Sequence, residues 1–351
     1  MKKIMSGISI LFMVLVFFLV GCAKDNTPTN VAPENNVSKN PIVIGVLFSD
    51  LQIGRWQTDR DLIIDEAKKS GASVVVASAD LDADKQLVQA KSMIMQGVNI
   101  LIVVAQDADK AGAIVDEAHK AGIKVIAYDR LIKNADLDYY MTFDNIKVGE
   151  YEAQGVMNAM ANGKGNVAYV GGSPTDNNAY LVREGSFNVM KPKIDSGDIK
   201  IVMDGFTDSW DQKLAYQKIS DYLDKNNTLD GIVVANDGMA AGVIQALEEH
   251  GLAGKIPVSG QDAELNACKY IISGKQTVTV YKPLKKLASE AAKTAVAIAK
   301  GEKVNSNAVV NNGKKDVPSI LLDVVMVTKA NINDTIIKEG FYSHEDLYGS
   351  K

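Results

Sequence analysis

Residues 42–48 read Ile-Val-Ile-Gly-Val-Leu-Phe, a run with no charge and no hydroxyl. A short, continuously apolar run suits a strand buried on both faces, as in a parallel sheet. The next residues point the same way. Residues 56–70 mix charged and apolar groups at helical spacing and stop at Gly71. The alternation then recurs: strand 73–77, helix 83–96, Gly97, strand 100–104, helix 108–121, Gly122, strand 124–128, and an extra strand 139–143. Each of these helices closes on glycine, where the chain commonly turns left-handed. A second series starts after Asp144-Asn145: helix 145–161, strand 166–170, helix 177–193, strand 199–203, helix 210–225, strand 231–235, helix 238–250, strand 256–259, helix 263–273, strand 276–281 and helix 284–300. Repeated strand–helix units predict an α/β fold whose parallel sheets carry helices on both faces.

About ten strands before residue 282 are more than one open sheet usually holds, so two lobes are expected. Past residue 284 come one long helix and short strand-like pieces at 308–310 and 320–327. That is too little for a third domain, so the chain is expected to cross back between the two. The division read from the sequence is 42–144 plus 282–310 for the first lobe and 145–281 plus 311–351 for the second. Two lobes joined by several crossings suit closure about a hinge.

The 351 residues are 46% hydrophobic and 23% charged, an ordinary globular balance. The net charge of -5 offers no basic surplus for a phosphate backbone, which argues against nucleic acid as a partner. Two cysteines do not make a disulfide scaffold. The N-terminus reads as an address. Lys2 and Lys3 precede an apolar run from Ile8 to Val20, and Leu19-Val20-Gly21-Cys22 closes it. Charged head, apolar stretch and small residues at a cut site make 1–21 an export signal. The run is short for a span of the bilayer, which needs about 20 apolar residues. Residues 22–41 are polar and apolar-poor, and such a stretch reads as a flexible tether spanning on the order of 25 Å. Cys268 reads as a small apolar filler.

In open α/β sheets ligands bind beyond the carboxyl ends of the strands. At those ends stand Asp50, Arg55 and Trp56; Asp129 and Arg130; the run Gly171 to Asn178, with Asp176; Trp210; Asn236 and Asp237; Gln261 and Asp262; and Lys282. Carboxylates accept from hydroxyls, Arg and Lys donate, Asn does both, and an indole offers a flat apolar face. That mixture suits a sugar, which has a rim of hydroxyls and faces of C–H bonds. Taken singly, an Asp or Asn after a strand is usually a cap, and a Trp is usually core. The weight lies in the set.

The segments RWQTDRD (55–61), AYDR (127–130), FDNIKVGE (143–150), GGSPTDNNA (171–179), AND (235–237), SGQDAEL (259–265), TVTVYKP (277–283) and NNGKKDVPS (311–319) together resemble the D-xylose-binding members of the type I periplasmic sugar-binding family. The likeness runs in order through residues 42–345. It implies two Rossmann-like lobes with parallel sheets, a three-strand hinge and a sugar enclosed in the cleft. Carried over by position, it puts Arg55, Asp129, Arg130, Asp176, Asn178, Asn236, Asp262 and Lys282 on the sugar oxygens. It puts Trp56 and Trp210 against the ring faces. Leu-Val-Gly-Cys likewise resembles a lipobox, which implies cleavage before Cys22, diacylglycerol and palmitate on that residue, and anchorage to the outside of a bacterial membrane.

The implied partners are D-xylose or a related monosaccharide and an ABC permease; a membrane sensor kinase reading the sugar-bound form is the alternative. No cofactor and no metal is expected. An enzyme is disfavoured, because the chain has no Gly-x-Ser-x-Gly elbow and no complete P-loop. Its His119, His250 and His344 are scattered. Asp80-x-Asp82-x-Asp84 imitates the start of a calcium loop, but Lys85 and Lys91 occupy the glycine and glutamate positions, so it reads as a solvated turn. A repressor sharing this ligand fold would carry a DNA-binding helix-turn-helix where this chain has its export signal.

Overall fold

A computed structural model of the chain describes residues 41–225 and 227–349. The export signal 1–21, Cys22 and all of the tether except Pro41 lie outside the described residues.

The first lobe opens with β1 (Ile42–Phe48), α1 (Gly54–Lys69), β2 (Ala72–Ser78), α2 (Ala83–Met95), β3 (Ile100–Val103), α3 (Gly112–Lys120), β4 (Lys124–Tyr128) and β5 (Tyr139–Phe143). The second has α4 (Asn145–Ala159), β6 (Gly165–Val170), α5 (Asn177–Asp195), β7 (Ile199–Gly205), α6 (Gln212–Leu223), β8 (Gly231–Val234), α7 (Asp237–Glu249), α8 (Leu265–Ser273) and β9 (Thr279–Tyr281). Then come α9 (Leu284–Ala299), β10 (Ala308–Asn311), β11 (Asp316–Leu322), β12 (Val325–Val327) and α10 (His344–Tyr348).

The first sheet runs β10-β11-β5-β4-β3-β1-β2, parallel throughout except for the β10–β11 pair. Both its faces are covered, as the apolar runs require. Ile44, Val46 and Phe48 of β1 pack with the alanine face of α9, Ala288, Ala291, Ala292 and Ala295. Leu47, pointing the other way, joins Ala90 and Met93 of α2 and Val115 and Ala118 of α3. The second sheet is β7-β6-β8, all parallel. Beyond it β9 pairs antiparallel with β12.

Three expectations are corrected. Residues 311–322 belong with the first lobe: β11 lies parallel to β5, pairing Ser319 with Tyr140 and Leu322 with Phe143. Burial of Val317 explains it, together with the Asn312 amide, which donates to Ile132 O and Ala135 O at 3.0 and 2.8 Å. The boundary expected after 310 thus falls inside β10, and the chain returns to the second lobe only at β12. There Ile332, Ile336 and Leu347 pack with Cys268 and Tyr281. The strand expected at 256–259 is reduced to one bridge, Val258 with Ile232. Pro257 has no N–H to give, and the Ser259 hydroxyl bonds both Val234 N and Val234 O, at 2.8 and 3.1 Å. The helix expected from 108 begins at Gly112, because Asp107 folds back onto the N–H groups of Asp109 and Lys110 at 2.9 Å each.

The chain passes between the lobes three times, at β5 to α4, β9 to α9 and β11 to β12. In each sheet the first strand, β1 or β6, lies between its second and third neighbours. The strand order reverses there, and the loops part to open a crevice.

Candidate functional site

The loops at these carboxyl ends meet in one cleft. Its lining holds all ten residues singled out from the sequence: Arg55, Trp56, Asp129, Arg130, Asp176, Asn178, Trp210, Asn236, Asp262 and Lys282. Ile53 and Gln261 complete it. Gln261 stands beside Asp262 among the strand-end residues of the sequence, but the family resemblance assigns no sugar contact to it.

Each side chain arrives by a local rule. The Asp50 carboxylate accepts from Gln52 N and Ile53 N at 2.9 and 3.0 Å, a turn that starts α1 and sets Arg55 and Trp56 on its first turn. Asp176 is the N-cap of α5: its Oδ1 accepts from Asn178 N at 2.9 Å. Its other oxygen faces the cleft, 3.3 Å from Trp210 Nε1. Asn236 caps α7 through Met239 N at 2.8 Å and lines the cleft as well. For these two residues, cap and cleft group are the same side chain. Trp210 lies flat on Gly172, where a Cβ would come within 2.2 Å of the indole.

Asp129, Trp210 and Asp262 all have left-handed backbones, with φ of 62°, 56° and 92°. Non-glycine residues adopt this region at a cost of about 1–3 kcal/mol each. Three of them around one cleft mark loops held in place by their surroundings.

The charges join the two sides. From the first lobe, the Arg55 guanidinium donates to Asp59 at 3.1 Å, to Asp129, and to Asp262 of the second lobe at 3.3 Å. Lys282 Nζ lies 3.1 Å from the same Asp262 oxygen. Arg130 Nε stands 2.9 Å from Asp176 Oδ2, but its N–H is not aligned for a hydrogen bond to it. Asn178 Nδ2 donates to both Asp129 O and Asp129 Oδ1 at 3.1 Å. Trp56 lies under two guanidinium groups, with Arg55 Cζ 4.5 Å and Arg130 Cζ 5.4 Å from the ring centroid.

Burial disfavours charge on Arg55, Asp59, Asp129 and Asp176. For Arg55 it is outweighed by Asp129, Asp59 and Asp262, which push its pKa well above the ordinary arginine value. Burial alone would raise Asp129, yet Arg55 and Lys282 hold its carboxyl below the usual range. At Asp176 burial wins and the pKa rises, with Arg130 opposing it. Asp59, buried behind Arg55, is pushed up to about 6 by burial, against the pull of Arg55 and the Tyr128 hydroxyl. Within the lining, Trp56 Nε1, Arg130 Nε and Gln261 Oε1 are buried and have no hydrogen-bond partner in the protein. Two donors and one acceptor therefore remain to be met in a cleft already rich in charge.

The remaining candidates fall away from the cleft. Asp82 caps α2 by accepting from Asp84 N and Lys85 N at 2.9 and 3.0 Å, so the calcium-like run is a turn and a helix start. His119 Nε2 lies 2.7 Å from Asp138, and His250 Nε2 lies 3.0 Å from Asp224. Cys268 is buried, and burial pushes its thiol pKa up. No group of side chains suited to a metal ion occurs among the described residues. No helix among them is long and apolar enough to cross a membrane.

Two α/β lobes, three crossings and a charged, aromatic cleft between them define a solute-binding protein of the type I periplasmic class. The chain belongs to the periplasmic binding protein family, whose domain it matches over residues 44–303. The family binds solutes for transporters and is not one of enzymes. The chain is 47% identical over 306 residues to the D-xylose-binding periplasmic protein of Haemophilus influenzae, covering 87% of this chain and 92% of that one. It is 44% identical to the protein of the same name from Escherichia coli K12, over 91% and 95% of the two chains. Among solved structures it is similar to an ABC transporter solute-binding protein from Clostridium phytofermentans with bound β-D-glucose. That pair has a TM-score of 0.80 and 30% identity over 87% of this chain and 99% of that one.

Proposed function

We propose that this protein binds D-xylose, or a closely related aldopyranose, between its lobes outside the cytoplasm, and delivers it to an ABC permease while anchored through a lipidated Cys22. The observation that carries the reading is the convergence of the ten residues from seven chain segments, in two lobes, on one cleft. Asp129, Asp176 and Asp262 accept from sugar hydroxyls. Arg55, Arg130, Lys282 and the two asparagines donate. Trp56 and Trp210 flank the ring. The Trp56 and Arg130 donors and the Gln261 acceptor, unpartnered in the protein, meet sugar oxygens and hydroxyls.

The ligand bonds to both lobes at once, so it favours the conformation in which they are close. The permease then recognises that conformation. The relatives' names support a pentose, and the glucose in the Clostridium structure keeps a hexose in contention.

The test is a thermal-shift and calorimetric panel of D-xylose, D-glucose, D-ribose, D-galactose and L-arabinose on the purified protein. Ligand binding to the folded state raises the midpoint. Stabilisation strongest with xylose supports the assignment, strongest with glucose moves it to hexoses, and none with any sugar removes it. Small-angle scattering with and without the bound sugar reads closure. Labelled palmitate, incorporated by the parent and not by Cys22→Ala, reads the anchor.

A further inference from the structure

Asp237 is buried, lies beside the cleft residue Asn236 and does not line the cleft. Its carboxylate accepts three hydrogen bonds: from Gln276 Nε2 at 2.8 Å, Thr279 Oγ1 at 2.8 Å and Glu264 N at 2.9 Å. These donors come from β9, from the segment before it and from the far end of the loop that bears Asp262. The same loop is tied down on its other side. Asp237 N donates to Gln261 O at 3.1 Å, and the Thr279 hydroxyl accepts from Ala263 N at 3.1 Å. Residue 260 has to be glycine for the loop to approach, since a Cβ there would stand 2.1 Å from Asp237 Oδ1.

Two consecutive residues of that loop are left-handed without being glycine, Asp262 at φ 92° and Ala263 at φ 50°. Such a pair reverts to an extended backbone unless its surroundings forbid it. In the held conformation Asp262 reaches Arg55 at 3.3 Å and Lys282 at 3.1 Å.

We infer that Asp237 is a positioning residue for sugar binding: directly at Gln261 O and Glu264 N, and through the Thr279 hydroxyl at Ala263 N, it holds residues 260–264 in the left-handed turn that aims Asp262 into the cleft. The inference rests on the sugar-binding reading above. An ordinary buried, hydrogen-bonded acid at a helix start stabilises the lobe as a whole. A positioning acid acts on one loop, and through it on affinity.

The experiment compares the parent protein with Asp237→Ala, Asp237→Asn, Asp262→Asn and the double variants Asp237→Ala/Ala263→Gly and Asp237→Ala/Asp262→Asn. Hydrogen exchange along the chain and affinity for D-xylose are read together. Asp237→Ala is expected to speed exchange at residues 260–264 while β6 and β8 keep their protection, and to weaken xylose binding at least tenfold. Asp237→Asn, which can still accept from Thr279 and Glu264, is expected to fall between parent and Asp237→Ala. Glycine at 263 relieves the left-handed strain and should recover part of the lost affinity, which a purely structural acid does not predict. Combined with Asp262→Asn, Asp237→Ala should cost less than it does alone.

Unchanged exchange in the loop, full xylose affinity in Asp237→Ala, no recovery with glycine at 263, or strict additivity with Asp262→Asn overturns the inference. If Asp237→Ala unfolds, the same criteria apply to Asp237→Asn. A parent protein that binds no sugar, with its loop still loosened by Asp237→Ala, refutes the function and not the hold on the loop.

Discussion

Arg130 and Asp176 come from opposite lobes and stand 2.9 Å apart, both buried, in contact that is electrostatic and not a formed hydrogen bond. Asp176 has a second duty as the cap of α5. Asp176→Ala removes the cap and leaves Arg130 unpaired, so both stability and sugar affinity should fall. Asp176→Asn keeps a capping oxygen but loses the charge. It should keep most of the stability, within about 1 kcal/mol, while affinity drops roughly tenfold or more. Equal losses of both quantities in the two variants would contradict this division of roles.

Asp262 is shared by Arg55 and Lys282. Asp262→Ala should weaken xylose binding by about 3 kcal/mol, roughly a hundredfold, since two buried cations lose a partner and the sugar loses an acceptor. Calorimetry showing parent-like affinity would remove Asp262 from the site.

Trp210 can be tested without deleting it. Gly172→Ala pushes a methyl group against the face of the indole. The variant should fold and bind at least tenfold more weakly, as Trp210→Ala should. A Gly172→Ala protein that binds like the parent would show that the ring position does not matter.

Asp59 makes stability depend on pH. Its carboxyl titrates at about 6 when folded, driven up by burial, against about 3.9 in an unfolded chain. The folded state therefore holds its proton longer, and the contribution is fully present below about pH 4 and lost as the pH rises through about 6. Relative to Asp59→Asn, the parent should lose stability between about pH 4 and 6 and stay level above about 7. Denaturant unfolding at several pH values reads the difference, and a gap that does not vary across that window refutes it.

The repeated apolar strands and glycine-closed helices made both lobes legible, because burial on two faces leaves little choice of residue. The cleft was legible for a related reason. Residues just past a parallel strand converge, whatever the loop lengths, so Arg55 and Lys282 could be grouped across more than two hundred positions. The hidden part was the support. Asp59 sits in a helix whose pattern reads as an ordinary charged face, and its burial against Tyr128 depends on β4 packing there. Asp237 looked like a second cap beside Asn236. The placing of residues 311–322 was also hidden, since a strand that adds to an edge carries the same alternation whichever sheet it joins. The burial of Val317 and the Asn312 amide, bonding back to Ile132 and Ala135, decide it.

That late strand has a consequence for biosynthesis. The seven-stranded order of the first sheet includes β10 and β11, and in the second lobe β9 takes β12 as its antiparallel strand partner. While the chain is still emerging from the ribosome, β5 lacks its outer neighbour until β11 has been made, and β9 lacks its strand partner until β12 has. Neither lobe can therefore complete its strand pairing until the chain has been made past residue 320, so the final closure of both is a late event in synthesis.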